Sequence, residues 1–246
     1  MPMANAPRYY AALGDSMSID AYAGGPGRGA PALLLRNRDD DFPEWRDKDL
    51  ATRFPSFRLL PLAMDGATSA TVRYAQVPRL KEMNVRPDVV TLTMGGNDLL
   101  QTFGSPAAAH AARRALWDNG HAALADLRTL VGSGAPILVG TIYDPSDGTG
   151  AVPGRELPPW PDGPAVVRAL NAALADLAQR HGAVVADVHA RFLGHGAEAG
   201  DPGQPDPRPA NGELWYCGVI EPNAWGAGAI RAVFWELLEQ AGVLEP

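Results

Sequence analysis

Five short apolar runs, separated by segments with helical spacing, are the feature that most constrains the fold of this chain. The runs are rich in aliphatic and β-branched residues, as buried strands are. The segments between them place alanines, leucines and charges at helical spacing. The runs are 9–13, 56–63, 88–94, 136–143 and 183–188, and the long helical segments are 106–131, 164–180 and 224–241. Strands that alternate with helices predict an α/β fold, with a parallel sheet of about five strands and helices on both faces.

Polar residues and glycines follow the first three runs directly. Gly14-Asp15-Ser16 follows the first run, Gly66 the second and Gly95-Gly96-Asn97-Asp98 the third. Functional sites in such sheets lie outside the carboxyl ends of the strands. We therefore expect Ser16, Gly66 and Asn97 to converge on one edge of the sheet.

These three residues fit the needs of a serine hydrolase. Ser16 follows a glycine that permits a sharp turn, and it stands at a predicted helix start, where backbone N–H groups are unpaired. It can serve as the nucleophile. The N–H groups of Ser16 and Gly66 and the side-chain amide of Asn97 can stabilise an oxyanion. Taken singly, Gly66 also fits an ordinary turn and Asn97 an ordinary loop cap.

Together these motifs resemble the blocks of the SGNH hydrolases, also called the GDSL esterase/lipase family. Three of the four family blocks match in order: Gly14-Asp15-Ser16, Gly66, and Gly95-Gly96-Asn97-Asp98. The resemblance implies one domain over residues 1–246, with a three-layer α/β/α fold of flavodoxin type. It implies ester hydrolysis through an acyl-enzyme at Ser16, with Ser16, Gly66 and Asn97 as the oxyanion hole. It implies neither a metal nor an organic cofactor.

The fourth block departs from the family pattern, Asp-x-x-His before the last helix. Pro222-Asn223 aligns with the residues that often follow that histidine, which places Glu221 at the histidine position and Gly218 at the aspartate position. We favour His195, flanked by two glycines, as the base, with Glu221 orienting its imidazole. Two alternatives are open: Glu221 is itself the base, with its pKa raised by burial, or the protein only binds a ligand.

Four further residues are candidates for contact with the substrate. Asp15 and Asp20 flank the Ser16 turn, and Tyr143 and Asp144 follow the fourth run. The Asp144 loop also has the composition of an ordinary turn. Residues 32–54 are interpreted as a surface excursion that either leans over the site or is a solvated loop.

Composition limits the partners. A formal net charge of −7 argues against nucleic acid. Cys217 is the only cysteine, so neither an intrachain disulfide nor a cysteine metal cluster is expected. Residues 1–8 lack the apolar core of a signal peptide and no run is long enough to cross a membrane, which predicts a cytoplasmic protein. We expect an acyl ester of small or medium size as substrate, with acyl transfer as an alternative reaction. The sequence does not predict the oligomeric state.

Overall fold

The computed structural model describes residues 6–153 and 158–245 of the 246-residue chain. Residues 1–5, on which the cytoplasmic prediction partly depends, lie outside the described residues. In the described part, five parallel strands form the central sheet in the order β2-β1-β3-β4-β5. The strands are β1 (Arg8–Leu13), β2 (Phe57–Pro61), β3 (Val89–Thr93), β4 (Ile137–Gly140) and β5 (Val184–Ala186). This is the strand order of flavodoxin-like sheets, and it confirms the predicted fold class.

Helices cover both faces of the sheet. They are α1 (Ala30–Leu35), α2 (Leu50–Arg53), α3 (Ser69–Thr71), α4 (Val77–Glu82), α5 (Gly96–Leu100), α6 (Pro106–Val131), α7 (Gly163–Arg180), α8 (Val188–Phe192) and α9 (Ala224–Gln240). Side chains alternate along β1, so that Ala11 and Leu13 pack with α4, α6 and α7, whereas Tyr10 and Ala12 pack with α1 and α9. The three layers therefore follow directly from the strand period.

The longest helix, α6, begins and ends at the residues predicted from its sequence. Ser105 caps its first turn by accepting a hydrogen bond from the Ala108 N–H, and Pro106 occupies the first turn, where no N–H is needed. Gly132 ends it with φ +74°, a conformation that glycine adopts without strain.

The interpretation of residues 32–54 as a surface excursion was wrong. The segment contributes helices α1 and α2, and Leu33, Leu34 and Leu50 are fully buried. Helix α1 packs against α9, on the side of the sheet away from α6. The acidic residue Asp41 is held by ion pairs with Arg28, Arg38 and Arg208. The segment is thus a part of the outer layer.

Two strands end earlier than their apolar runs. β4 stops at Gly140 because the side-chain amide of Asn171 bonds both backbone groups of Ile142, at 2.7 and 2.8 Å. β5 stops at Ala186 because Asp187 caps α8, accepting the Ala190 N–H at 3.0 Å. In the first case a polar side chain replaces the neighbouring strand as hydrogen-bond partner, and in the second it starts a helix.

A small antiparallel hairpin precedes α9 and was not predicted. Its strands are β6 (Tyr216–Cys217) and β7 (Glu221–Pro222). Strands of two residues are too short to show a period in the sequence. The hairpin matters for function because β7 contacts the turn that carries Ser16.

Candidate active site

The Ser16 turn is fixed by the glycine at position 14 and by hydrogen bonds of Asp15. Gly14 has φ +128°, and a Cβ atom there would lie 2.1 Å from the carbonyl oxygen of Thr93. Asp15 caps the 3₁₀ turn Ser16–Ser18, since its Oδ1 accepts the Met17 N–H at 3.2 Å and the Thr93 hydroxyl at 2.9 Å. Ser16 is 8% exposed, at the carboxyl end of β1.

A buried glutamine, Gln76, also holds this turn and was not predicted from the sequence. The Gly14 N–H donates to Gln76 Oε1 at 2.7 Å, and Gln76 Nε2 donates to the Gly14 carbonyl at 2.8 Å. Gln76 ends the π-helical segment Val72–Gln76, between α3 and α4. Its amide thus satisfies both backbone groups of the residue two positions before the candidate nucleophile.

Asn97 stands in the first turn of α5, after β3. Gly95 precedes it in the left-handed conformation, with φ +105°. Asn97 Nδ2 donates to the Ala67 carbonyl at 3.0 Å, which ties it to the loop that carries Gly66. Asn97 lines the same cleft as Ser16. Gly66 is exposed with φ +69° and does not line the cleft.

Glu221 is the ionisable residue that the structure brings to Ser16. Burial raises the pKa of Glu221 to about 7, hydrogen bonding with the Ser16 side chain opposes the rise, and the charges of Asp65 and Asp15 add to it. Glu221 Oε2 is buried without a hydrogen-bond partner among the described residues. A carboxyl with this pKa is divided between its two protonation states near neutral pH, as a general base should be.

The turn of the hairpin positions Glu221. Val219 has φ +91°, which is a true outlier for a β-branched residue and costs about 1–3 kcal/mol. Two hydrogen bonds hold it: the Val219 N–H donates to the Pro202 carbonyl at 2.8 Å, and the Tyr143 hydroxyl donates to the Ile220 carbonyl at 2.6 Å. Strain of this kind persists where the surroundings fix the backbone, which is typical of functional sites.

His195, the favoured base in the sequence, lies elsewhere. Its ring stacks on Trp215 with centroids 3.4 Å apart, and its Nδ1 donates to the Glu213 carbonyl at 2.8 Å. The Asp147 carboxylate anchors the loop by accepting N–H groups on both sides of it, from Gly194 and Gly196. Among the residues described, His195 neither lines the cleft nor bonds Ser16 or Glu221. The geometry thus favours the second alternative for the base, a Ser16–Glu221 pair.

The carboxylates of Asp15 and Asp20 both accept hydrogen bonds within the protein: Asp15 from a backbone N–H and a hydroxyl, and Asp20 from two backbone N–H groups. Asp15 lines the cleft, and burial raises its pKa to about 6. Asp20 accepts the N–H groups of Gly27 and Gly29, both at 2.8 Å, and so orders the glycine-rich loop.

Tyr143 and Asp144 both line the cleft. Burial raises the pKa of Tyr143 well above 10, so its hydroxyl stays a donor, to Ile220. Asp144 accepts the Ser146 N–H at 2.9 Å and the Gly148 N–H at 3.1 Å. The loop composition had indicated such a turn, and its carboxylate is engaged within it.

The cleft beside Ser16 encloses about 1030 Å³ of empty space, counting its mouth toward solvent. Within residues 6–153 and 158–245, no three or more His, Cys, Asp or Glu side chains are grouped so that they could hold a metal ion. In the same ranges, no helix is both long and apolar enough to cross a membrane.

Comparison with known proteins gives one matching family and several solved structures of similar fold. The model of the GDSL-like lipase/acylhydrolase family matches residues 12–228. An extracellular lipase from Streptomyces rimosus superposes with a TM-score of 0.63 at 20% identity, over 95% of this chain and 99% of that one. The acetyl xylan esterase Axe2 from Geobacillus stearothermophilus superposes with a TM-score of 0.59 at 15% identity, over 98% of this chain and 97% of that one.

An α/β hydrolase from the metagenome of Lake Arreo, LAE5, gives a TM-score of 0.58 at 21% identity over 98% of each chain. No match was found among curated protein sequences. At these identities the solved structures support the fold, and the family match supports ester hydrolysis in general.

Proposed function

Since the chain belongs to the GDSL-like lipase/acylhydrolase family, we propose that it hydrolyses carboxylic esters through an acyl-enzyme on Ser16, with Glu221 as the general base. The observation that carries the proposal is the contact of strand β7 with the Ser16 turn, which brings the Glu221 carboxyl group to the Ser16 hydroxyl. The position that holds histidine in the family pattern still holds a group that can accept a proton. In this proposal Glu221 does the work of the missing histidine, and His195 takes no part in the reaction.

The first half of the reaction forms the acyl-enzyme. The Glu221 carboxylate accepts the Ser16 proton while Ser16 Oγ attacks the ester carbonyl carbon. The carbonyl π electrons move to oxygen, and the Ser16 N–H group and the Asn97 amide, both from residues that line the cleft, are the proposed donors to that oxyanion. The carbonyl then re-forms, the C–O bond to the alcohol breaks, and protonated Glu221 gives its proton to the departing alkoxide.

The second half returns the enzyme to its starting state. Glu221 accepts a proton from water, and the resulting hydroxide attacks the acyl carbon. When the bond to Ser16 breaks, Glu221 returns the proton to Ser16 Oγ, and the carboxylic acid leaves. Burial helps both steps, because a raised pKa stabilises the neutral Glu221 that each tetrahedral intermediate requires. An alcohol in place of water would make the same site an acyltransferase.

Labelling with a fluorophosphonate tests the proposal, because only an activated serine displaces fluoride from the probe. We expect mass mapping to find the phosphonyl group on Ser16 and no labelling of Ser16→Ala. Ser18→Ala is the matched control, since Ser18 lies in the same turn and bonds the Thr93 hydroxyl instead. An unlabelled wild-type protein that is folded would contradict ester hydrolysis and support the ligand-binding alternative.

A further inference from the structure

One side of the cleft is almost free of polar side chains. We define its apolar lobe by Leu99, Leu100, Phe103, Ile142, Trp160 and Val167. Leu99, Ile142 and Val167 are each less than 8% exposed and form its floor. Leu100 and Phe103 are 40% and 42% exposed and form its rim, where Phe103 meets Trp160 edge-on with centroids 5.2 Å apart.

Asp144 and Ser146, two polar residues that line the cleft, have side chains that are already engaged, and the indole N–H of Trp160 is buried away from the cleft surface. Asp144 Oδ1 accepts both the N–H and the hydroxyl of Ser146, and Ser146 Oγ accepts the Gly150 N–H at 2.9 Å. A sugar entering this lobe would lose water from its hydroxyl groups and find few free partners, which is costly. A hydrocarbon chain would gain by leaving water.

The position of the base decides which part of an ester enters the lobe. Glu221 must protonate the departing alkoxide, so the alcohol part lies on the side of the β6–β7 hairpin. The acyl part then extends the other way, past Asn97 and along α5, which carries Leu99 and Leu100. Resting on the proposed ester hydrolysis, we infer that the substrates carry a medium-length apolar acyl chain, and that Leu100 and Phe103 select for it.

The test compares two series of esters, each below its micelle concentration. In p-nitrophenyl esters from acetate to decanoate, we expect kcat/KM to rise at least tenfold between acetate and hexanoate. Full burial of one methylene is worth roughly a fourfold gain, and the exposed rim lowers that figure. In alkyl acetates from methyl to hexyl, which lengthen only the alcohol, we expect kcat/KM to rise less than threefold.

Substitution of the rim tests the two selecting residues. Leu100→Asn and Phe103→Asn should each lower the hexanoate-to-acetate ratio of kcat/KM by about threefold to tenfold, since each removes apolar contact with the distal methylenes. Leu193→Asn is the matched control, because Leu193 is 47% exposed but lies outside the cleft. Its ratio should equal that of the wild type.

A flat acyl series, a gain confined to the alcohol series, or an unchanged ratio in both rim variants would overturn the inference while leaving the proposed function intact. Calorimetry with Ser16→Ala gives a readout independent of turnover, in which octanoate should bind at least tenfold more tightly than acetate. If octanoate binds in this way but no ester is hydrolysed and no serine is labelled, the proposed function fails and the apolar lobe stands. Equal binding of octanoate and acetate would contradict the inference that the apolar lobe binds the acyl chain.

Discussion

At the scale of single residues, the chain departs from its family pattern by having Glu221 at the histidine position and Gly218 at the aspartate position. A carboxyl with an ordinary pKa of about 4.3 is a weak base toward a serine hydroxyl. Partial burial in the β6–β7 hairpin raises the pKa of Glu221 to about 7, close to the range in which imidazole works. Under the proposed mechanism, the environment of Glu221 therefore gives a carboxyl group the base strength that the family pattern obtains from histidine.

The raised pKa of Glu221 makes stability depend on pH. Its pKa is higher in the folded than in the unfolded protein, so its contribution is complete below about pH 4.5 and is lost as the pH rises through about 7. Glu221→Gln removes this loss. We expect the variant to match the wild type near pH 4.5 and to exceed it by about 1–2 kcal/mol at pH 8, after allowance for partial solvent screening.

Thermal unfolding followed by circular dichroism between pH 4.5 and 8 measures this effect, which amounts to a few degrees in Tm for a chain of this size. Glu239→Gln, near the exposed end of α9, is the control and should show no pH-dependent gain. A stability difference between Glu221→Gln and the wild type that is the same at every pH would contradict the raised pKa.

At the scale of elements, the long helices and the strands of the sheet are predictable because their apolar residues recur in the sequence at helical or strand spacing. The 26 residues of α6 have helical spacing, a serine cap and a terminal glycine. The π-helical segment and the β6–β7 hairpin are not predictable, since each is fixed by its partners elsewhere in the chain. Gln76, which holds the Ser16 turn, and Glu221, the proposed base, come from these two elements.

The π-helical segment gives a prediction of its own. Gln76→Ala leaves the buried N–H of Gly14 without its partner and opens a small cavity, so we expect a loss of about 2–4 kcal/mol in the free energy of unfolding. Because the Ser16 turn loosens, kcat should fall more than KM rises. Denaturant unfolding and steady-state kinetics measure the two effects.

Gln179→Ala, on the exposed surface of α7, serves as the control and should change neither quantity by much. Wild-type kcat in Gln76→Ala would show that the glutamine stabilises the fold without positioning Ser16.

At the scale of the whole molecule, the strand order explains why Ser16 and Asn97 could be placed from sequence. β1 and β3 are neighbours in the sheet, and the chain reverses its direction of winding there, so residues after both strands meet at one crevice. The base could not be placed in this way. His195 and Glu221 both lie in the irregular region before α9, and only the packing of that region decides which of them reaches Ser16.

The packing that decides it consists of two sets of contacts. Trp215 stacks on His195, and Asp147 anchors its loop. The strained turn at Val219 carries Glu221 back toward β1. Neither set has a spacing that a sequence pattern would show. The fold does not determine the cellular location, so the cytoplasmic location stays a prediction.

The most direct test of the Ser16–Glu221 pair is the value of kcat for a p-nitrophenyl ester at pH 8 in two variants, Glu221→Gln and His195→Ala, each shown to be folded. Loss of a general base lowers the rate by roughly 10²–10⁴-fold. We predict a loss in that range for Glu221→Gln and a change of less than about threefold for His195→Ala. A severe loss in His195→Ala together with a mild one in Glu221→Gln would contradict the account and restore the histidine triad.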